Sequence, residues 1–354
     1  MTSDHPRRLV ASTFVACLAF AASACEKTTP VPAGDAGSAS ATTGGGDAKP
    51  KVAFLLATLQ EERYQKDKRF FEAKATALGL SPFVLSADND NAKQLSQLED
   101  ALSRGAKVIV VQPTDSVAAA SYVQKAHAKG AKVVAYDRTI KSPDLDVYLS
   151  HDAFKIGVIM AEEAVKATGG KGNYLILDGQ SGHSVVAEID RGYMSVLKPL
   201  VDKGDVKIVL QKNHEAWSPD QALKTTEDAI AKTKGDLQAV LANNSGMARG
   251  AVQAIQAANL GGKKIFIAGS DTDAANVNYL CEGKQTIEVL KDIQPLAEKA
   301  AELASTFATG KALEGASGTP PMIALPVELV TKENAKARIV DTGFHPAKAV
   351  PACK

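Results

Sequence analysis

The chain has 354 residues, 45% of them hydrophobic and 23% charged, with 41 lysines and arginines against 40 aspartates and glutamates. A net charge of +1 gives no electrostatic reason to bind nucleic acid, and no basic run later in the chain supplies one. The length allows two domains of ordinary size once a leader is set aside.

Arg7 and Arg8 precede an apolar run over 9–22 that is too short for a permanent membrane span, so residues 1–24 read as an export signal. The run ends at Ala22-Ser23-Ala24-Cys25. Small residues before such a cysteine resemble a bacterial lipoprotein signal. That resemblance implies that Cys25 is lipidated and holds the protein to a membrane, in the periplasm or at the cell surface. Ordinary cleavage after Ala24, releasing a soluble protein, is the alternative. Residues 25–50 are built from Ala, Gly, Ser, Thr and Pro and cannot bury enough apolar surface to offset their ordering entropy, so a flexible tether is expected. Gly44, Gly45 and Gly46 fall in it and are not a phosphate loop.

The body alternates apolar runs with amphipathic segments. Strands are expected at 52–57, 81–85, 108–111, 133–136, 174–177, 206–210, 239–242, 265–268 and 286–290. Between them lie helical patterns such as 91–104, where Leu95, Leu98, Ala101 and Leu102 recur at helical spacing and Gly105 follows as a stop. Such alternation predicts an α/β fold with parallel sheets covered on both faces. The stretch from Gly105 to Arg138 resembles that from Gly235 to Asp271: strand, polar loop, helix, strand, polar loop, at nearly equal lengths. The body therefore reads as two similar doubly wound halves, with Arg138 and Asp271 in equivalent places. Ligands of open parallel sheets bind beyond the carboxyl ends of the strands, so two facing sheets would share one cleft.

No enzyme signature emerges. Gly179-Gln180-Ser181-Gly182-His183 lacks the spacing of a nucleophile elbow. No GxGxxG, GxxxxGK[ST] or HExxH occurs, and the histidines lack metal-ligand spacing, so no cofactor or metal is expected. Cys281 and Cys353 are the cysteines of the body. In an oxidising compartment a disulfide between them is one expectation and two free thiols the other.

Hydrogen-bonding and stacking groups gather at the strand ends instead. Asp137 and Arg138 follow one strand, Asn243 and Asn244 another, and Asp271 a third. An arginine fork and a carboxylate from opposite halves would suit the hydroxyls of a neutral polyol. Trp217, the only tryptophan, stands in a connecting segment, where a sugar ring would cover its face.

Glu62-Arg63-Tyr64-Gln65-Lys66-Asp67 resembles the opening of bacterial D-xylose-binding periplasmic proteins. Val134-Ala135-Tyr136-Asp137-Arg138, Trp217-Ser218-Pro219, Gly269-Ser270-Asp271-Thr272-Asp273 and Gln285-Thr286-Ile287-Glu288-Val289-Leu290-Lys291 look like the same family, as do Lys198-Pro199 and Asp341-Thr342-Gly343-Phe344-His345. The similarity covers nearly all of 51–345. It implies a type I binding-protein fold: two doubly wound parallel-sheet lobes joined by a three-crossing hinge. The N-terminal lobe is expected at 51–153 plus about 291–330, and the C-terminal lobe at 154–290 plus about 331–354. The resemblance also implies a monomer that delivers a monosaccharide to an ABC permease. Carried over residue by residue, it places Arg63, Tyr64, Lys66, Arg138, Trp217, Asn244, Asp271 and Lys291 at the ligand. Asp137 and Ser184, in loops beyond strand ends, are expected to join them.

The sequence departs from the family at three places. Tyr64 stands where Trp is usual. His183-Ser184-Val185 occupies the region of an Asp-Asn-Asn run, and Asn243-Asn244-Ser245 replaces Ser-Asn-Asp. Each lost acceptor or amide would shift preference between epimers by about 1–3 kcal/mol, so xylose leads, with another pentose, an aldohexose or a cyclitol as alternatives. Plainer readings stand beside each residue: Trp217 in the core, Arg63 and Lys66 on a solvated helix face, Asp273 as a helix cap, Asn243 in loop hydrogen bonding, and Lys291 in a hinge ion pair. A sensor feeding a membrane receptor and an exported α/β hydrolase are the rival functions. The ligand reading expects Trp217→Ala and Asp271→Ala to abolish binding with the unliganded melting point nearly unchanged.

Overall fold

The computed structural model describes residues 49–353. The expected export signal, Cys25 and nearly all of the tether lie outside the described residues.

Alternation of apolar residues along the first strand decides the first lobe. In β1 (Lys51–Leu56), Val52, Phe54 and Leu56 point to one face, while Ala53 and Leu55 point to the other. The first face is covered by α1 (Glu62–Ala77), the second by α2 (Asn91–Ser103) and α3 (Ala120–His127). Asp90 caps α2, accepting from the Lys93 N–H at 2.8 Å. With β2 (Ser81–Ser86), β3 (Val108–Val111), β4 (Lys132–Tyr136) and β5 (Val147–His151) the sheet runs β2-β1-β3-β4-β5, all parallel.

The second lobe repeats that order. After α4 (Ala153–Thr168) come β6 (Gly172–Asp178), α5 (Ser184–Asp202), β7 (Val206–Asn213), α6 (Pro219–Thr233), β8 (Ala239–Ala242), α7 (Ser245–Ala257), β9 (Phe266–Ser270), α8 (Ala274–Glu282) and β10 (Ile287–Leu290). The sheet runs β7-β6-β8-β9-β10, again parallel. Tyr174 and Ile176 meet α4 and α5 on one face; Leu175 and Leu177 meet α6 and α7 on the other. This is the α/β class, with two doubly wound sheets.

The chain passes between the lobes three times. It leaves β5 through Asp152, which caps α4 of the second lobe by accepting from Lys155 N–H at 2.9 Å. It returns at Lys291–Asp292 to α9 (Ile293–Ala308), whose Leu296, Ala300 and Leu303 pack on the first sheet beside α1. β11 (Met322–Leu325) then pairs with β5, and β12 (Glu328–Thr331) pairs antiparallel with β10. The last crossing thus falls at Pro326–Val327, a few residues before the boundary expected near 330, because 328–331 is a strand of the second sheet. The nine expected strands are present; β5, β11 and β12 are additional. Cys281 of α8 and Cys353 are disulfide-bonded, lashing the C-terminal tail to the second lobe across a sequence separation of 72.

Candidate functional site

Every candidate side chain sits where a parallel strand ends. Arg63 and Tyr64 open α1 after β1, and Asp137 follows β4 directly. Asp271 follows β9, and Lys291 follows β10. Asp137 N–H donates to Leu149 O at 2.8 Å, and Asp271 N–H donates to Val289 O at 3.2 Å. Both residues have positive φ, 61° and 98°. These are the same step of the same ladder, so the counterpart of Asp271 is Asp137. The expected equivalence with Arg138 was one residue out of register. Left-handed backbone at two such carboxylates is strain of the kind held at binding sites by the surrounding structure.

A buried charge network links these ends. Arg63 Nη1 lies 3.1 Å from Asp137 Oδ1 and 3.5 Å from Asp271 Oδ1, while its Nε lies 3.5 Å from Asp67. Lys291 Nζ meets Asp271 Oδ1 at 2.5 Å, rather than its neighbour Asp292. Tyr64 Oη donates to Asp137 at 3.3 Å and accepts from Arg138 Nη2 at 3.4 Å. Burial alone would push the Asp137 carboxyl up, but Arg63, Lys291 and Arg138 together hold it well below the usual carboxylate range. At Asp67 burial outweighs Arg63 and the Tyr136 hydroxyl that donates to it, and the carboxyl rises to about 6.

Trp217 serves two neighbourhoods at once. It packs with Leu177 and Met247 in the second lobe's core, and it also lines the gap between the lobes. The ring lies against Gly179 so closely that a Cβ there would stand 2.3 Å from Cη2. Trp217 Nε1–H donates to His183 Nδ1 at 2.8 Å. That bond leaves the proton of neutral His183 on Nε2, which donates to the Thr114 carbonyl of the first lobe at 2.9 Å. Burial and the neighbouring Arg138 push His183 far below its usual pKa, so it stays neutral. His183 is thus a bridge between the lobes.

Seven of the ten expected residues line one small cavity. Arg63, Tyr64 and Asp137 come from the first lobe; Trp217, Asn244 and Asp271 come from the second, and Lys291 from the hinge. Its volume is about 20 Å³, room for about one water. The other three do not line it. Lys66 turns to the tail, meeting Glu62 at 3.3 Å, His345 at 3.3 Å and the Phe344 ring at 4.3 Å. Arg138 lies behind Tyr64, beside His183 and the Pro113 carbonyl. Ser184 Oγ accepts from Thr139 N–H at 2.8 Å, a second tie between the lobes. Among the plainer readings, Asp273 makes no side-chain cap and instead faces Arg249 at 3.5 Å. Asn243 does hold a loop, accepting from Gly179 N–H at 2.9 Å.

Sequence reasoning missed Glu61, which lines the same cavity. Its Oε2 is buried without a hydrogen-bond partner, as is Arg63 Nη2. Burial raises the Glu61 carboxyl, with Arg138 opposing. A glutamate just before a helix reads as an ordinary surface residue, and only its position two residues before Arg63 pointed here.

A periplasmic binding protein domain matches residues 52–312. The chain is 35% identical over 302 residues to a D-xylose-binding periplasmic protein of Escherichia coli K12, covering 83% of this chain and 91% of that one. The chain belongs to the periplasmic binding protein family. It is also 34% identical over 307 residues to the D-xylose-binding periplasmic protein of Haemophilus influenzae, covering 85% of this chain and 92% of that one. In shape it matches a carbohydrate transporter solute binding protein of Chloroflexus aurantiacus, solved with D-glucose, at a TM-score of 0.75 and 26% identity, covering 85% and 98%. An ABC transporter solute binding protein of Clostridium phytofermentans shares the fold at a TM-score of 0.78 and 24% identity, covering 85% and 99%.

Within this family member, the Asp271 corner is held from below. Glu288, fully buried on β10, accepts from Thr272 N–H at 3.0 Å and from Gln285 Nε2 at 2.5 Å. Ser245 Oγ lies 2.9 Å from the Ser270 carbonyl and 2.8 Å from Glu288 Oε2. A hydroxyl has one proton, so if Ser245 gives it to Ser270, Glu288 must carry a proton and donate to Ser245. Burial accordingly lifts Glu288 from 4.5 to about 8. The folded state then holds a proton that the unfolded chain has released above its ordinary value, so this stability is lost as pH rises from about 4.5 through 8. The melting temperature is expected to fall between pH 6 and pH 8.5, and to fall less in Glu288→Gln. Equal slopes in the two proteins would show Glu288 already ionised.

Proposed function

We propose that the chain is the solute-binding component of an ABC sugar importer, closing its lobes on a monosaccharide, with D-xylose the first ligand to test. One observation carries this reading: Arg63 and Glu61, which line one cavity that draws on both lobes, each keep a buried polar atom without a partner, the donor Nη2 and the acceptor Oε2. Sugar hydroxyls both donate and accept, and so suit such a pair. The three cations Arg63, Arg138 and Lys291 stand among the carboxylates Asp67, Asp137, Asp271 and Glu61, two of them raised. That balance suits a neutral ligand.

The groups now pair with one another around space for about one water. A sugar ring enters only if the lobes part, and closure then exchanges the Arg63 and Asp271 contact for bonds to hydroxyls. Trp217 and Tyr64 supply flat faces for the ring's C–H surface. Asn244, Asp137 and Lys291 fix hydroxyl orientation, while Arg138 and His183 hold the two aromatics in place. Lipidation at Cys25 would keep the protein beside its permease at the outer face of a membrane. Similarity to D-xylose-binding periplasmic proteins puts xylose first among ligands.

A thermal-shift screen with D-xylose, L-arabinose, D-ribose, D-glucose, D-galactose and myo-inositol tests this. A ligand at a hundred times its Kd adds about 2.7 kcal/mol to stability, a clear shift. Glu61→Gln is expected to weaken the best ligand about tenfold, through loss of a charged acceptor. No shift with any of the six, in protein that melts cooperatively, would overturn the reading.

A further inference from the structure

A larger cavity, about 310 Å³, lies away from the sugar site. That volume is at the lower end of small-molecule sites, which run from roughly 300 to 1,000 Å³. All three passages between the lobes border it, through His151, Asp292 and Pro326. Helix α1 of the first lobe and the tail of the second supply its other walls. It shares no lining residue with the sugar cavity.

Its chemistry is uneven. Phe70 and Phe344 give it an apolar body. His151 is 2% exposed, and its Nε2 faces the Asp292 carbonyl at 3.1 Å. Nε2 must therefore carry the proton, and His151 closes this end of the cavity as a buried neutral ring. Charges at the rim are mostly matched. Lys66 faces Glu62, Arg338 faces Glu328 at 3.3 Å, and Asp292 sits at the positive end of α9. Arg69, exposed at the mouth beside Phe70, makes no ion pair among the described residues.

We propose that this hinge cavity is a second ligand site, taking a small carboxylate with an apolar body. The body lies between Phe70 and Phe344, and the carboxylate meets Arg69. Because the segments that bend during closure form its walls, occupancy changes the preference between open and closed lobes. By linkage it changes sugar affinity by the same factor as the sugar changes its own. This coupling rests on the sugar reading; binding at the hinge does not.

The probe is phenylacetate, measured by calorimetry on the exported full chain, with 2-phenylethanol as the partner lacking the charge. The expected result is saturable one-to-one binding, weaker for 2-phenylethanol, and weakened about threefold or more by Arg69→Gln. It persists in Asp271→Asn, whose sugar site is impaired. Adding xylose is expected to shift the probe's Kd without displacing it. Absence of binding, equal affinity in Arg69→Gln, or full displacement by xylose together with loss in Asp271→Asn would each overturn the hinge site. If the probe binds as expected but no sugar does, the hinge site stands and the sugar reading fails.

Discussion

Asp271→Ala is expected to abolish sugar binding, by about 100-fold or more, and to lower the stability of the unliganded protein by about 3–5 kcal/mol. The second effect departs from what the sequence alone suggests. Asp271 is the direct partner of Lys291 at 2.5 Å and lies 3.5 Å from Arg63, which is 3% exposed. Removing it leaves buried positive charge facing positive charge. Its backbone, at φ 98°, also disfavours alanine more than asparagine. Asp271→Asn separates the contributions, since it tolerates the backbone and keeps hydrogen bonding while losing the charge. Chemical denaturation and calorimetry on the two variants decide the matter. An Asp271→Ala protein as stable as the parent would mean that the ion network is loose in solution.

Trp217→Ala carries the other large expected effect. Loss of the ring removes a face of the cavity and also a filler of the second lobe's core, so binding disappears and stability falls by about 3 kcal/mol or more. The same deletion frees His183 Nδ1, and His183 ties the second lobe to Thr114 in the first. Trp217→Phe keeps most of the packing and drops the Nε1–H bond, so it should melt close to the parent and bind more weakly. Binding by Trp217→Ala within about threefold of the parent would remove stacking from the account.

Much of this was legible in the sequence because buried parallel strands are nearly pure apolar runs. The four-residue Val108–Val111 and Ala239–Ala242 show it, flanked by Gly105 and Gly235. The strands that escaped lack that signature. β5 carries Ser150 and His151, whose side chains bond inward to the Asp137 and Asp292 carbonyls, so a buried strand reads as polar. β11 and β12 have four residues each, mostly half-buried, on either side of Pro326. At the site, position along the chain identified the strand ends but not the directions of side chains. Lys66, one turn beyond Glu62, turns to Phe344 and His345 of the tail, a contact separated by 278 residues or more in sequence. Glu61 escaped for the opposite reason, since only its place two residues before Arg63 sets it apart from an exposed glutamate.

The interleaving of the chain between the sheets sets an order of events during synthesis. β11, at 322–325, completes the first sheet, and β12, at 328–331, completes the second. Neither half can close its edge, and the first cannot cover its α1 face with α9, until nearly the whole polypeptide is available. The nascent protein therefore carries incomplete cores late into production, which favours slow, nonlocal assembly and leaves a long interval for a holding chaperone to act. Genes cut between the lobes would encode two fragments, each missing part of its own wall.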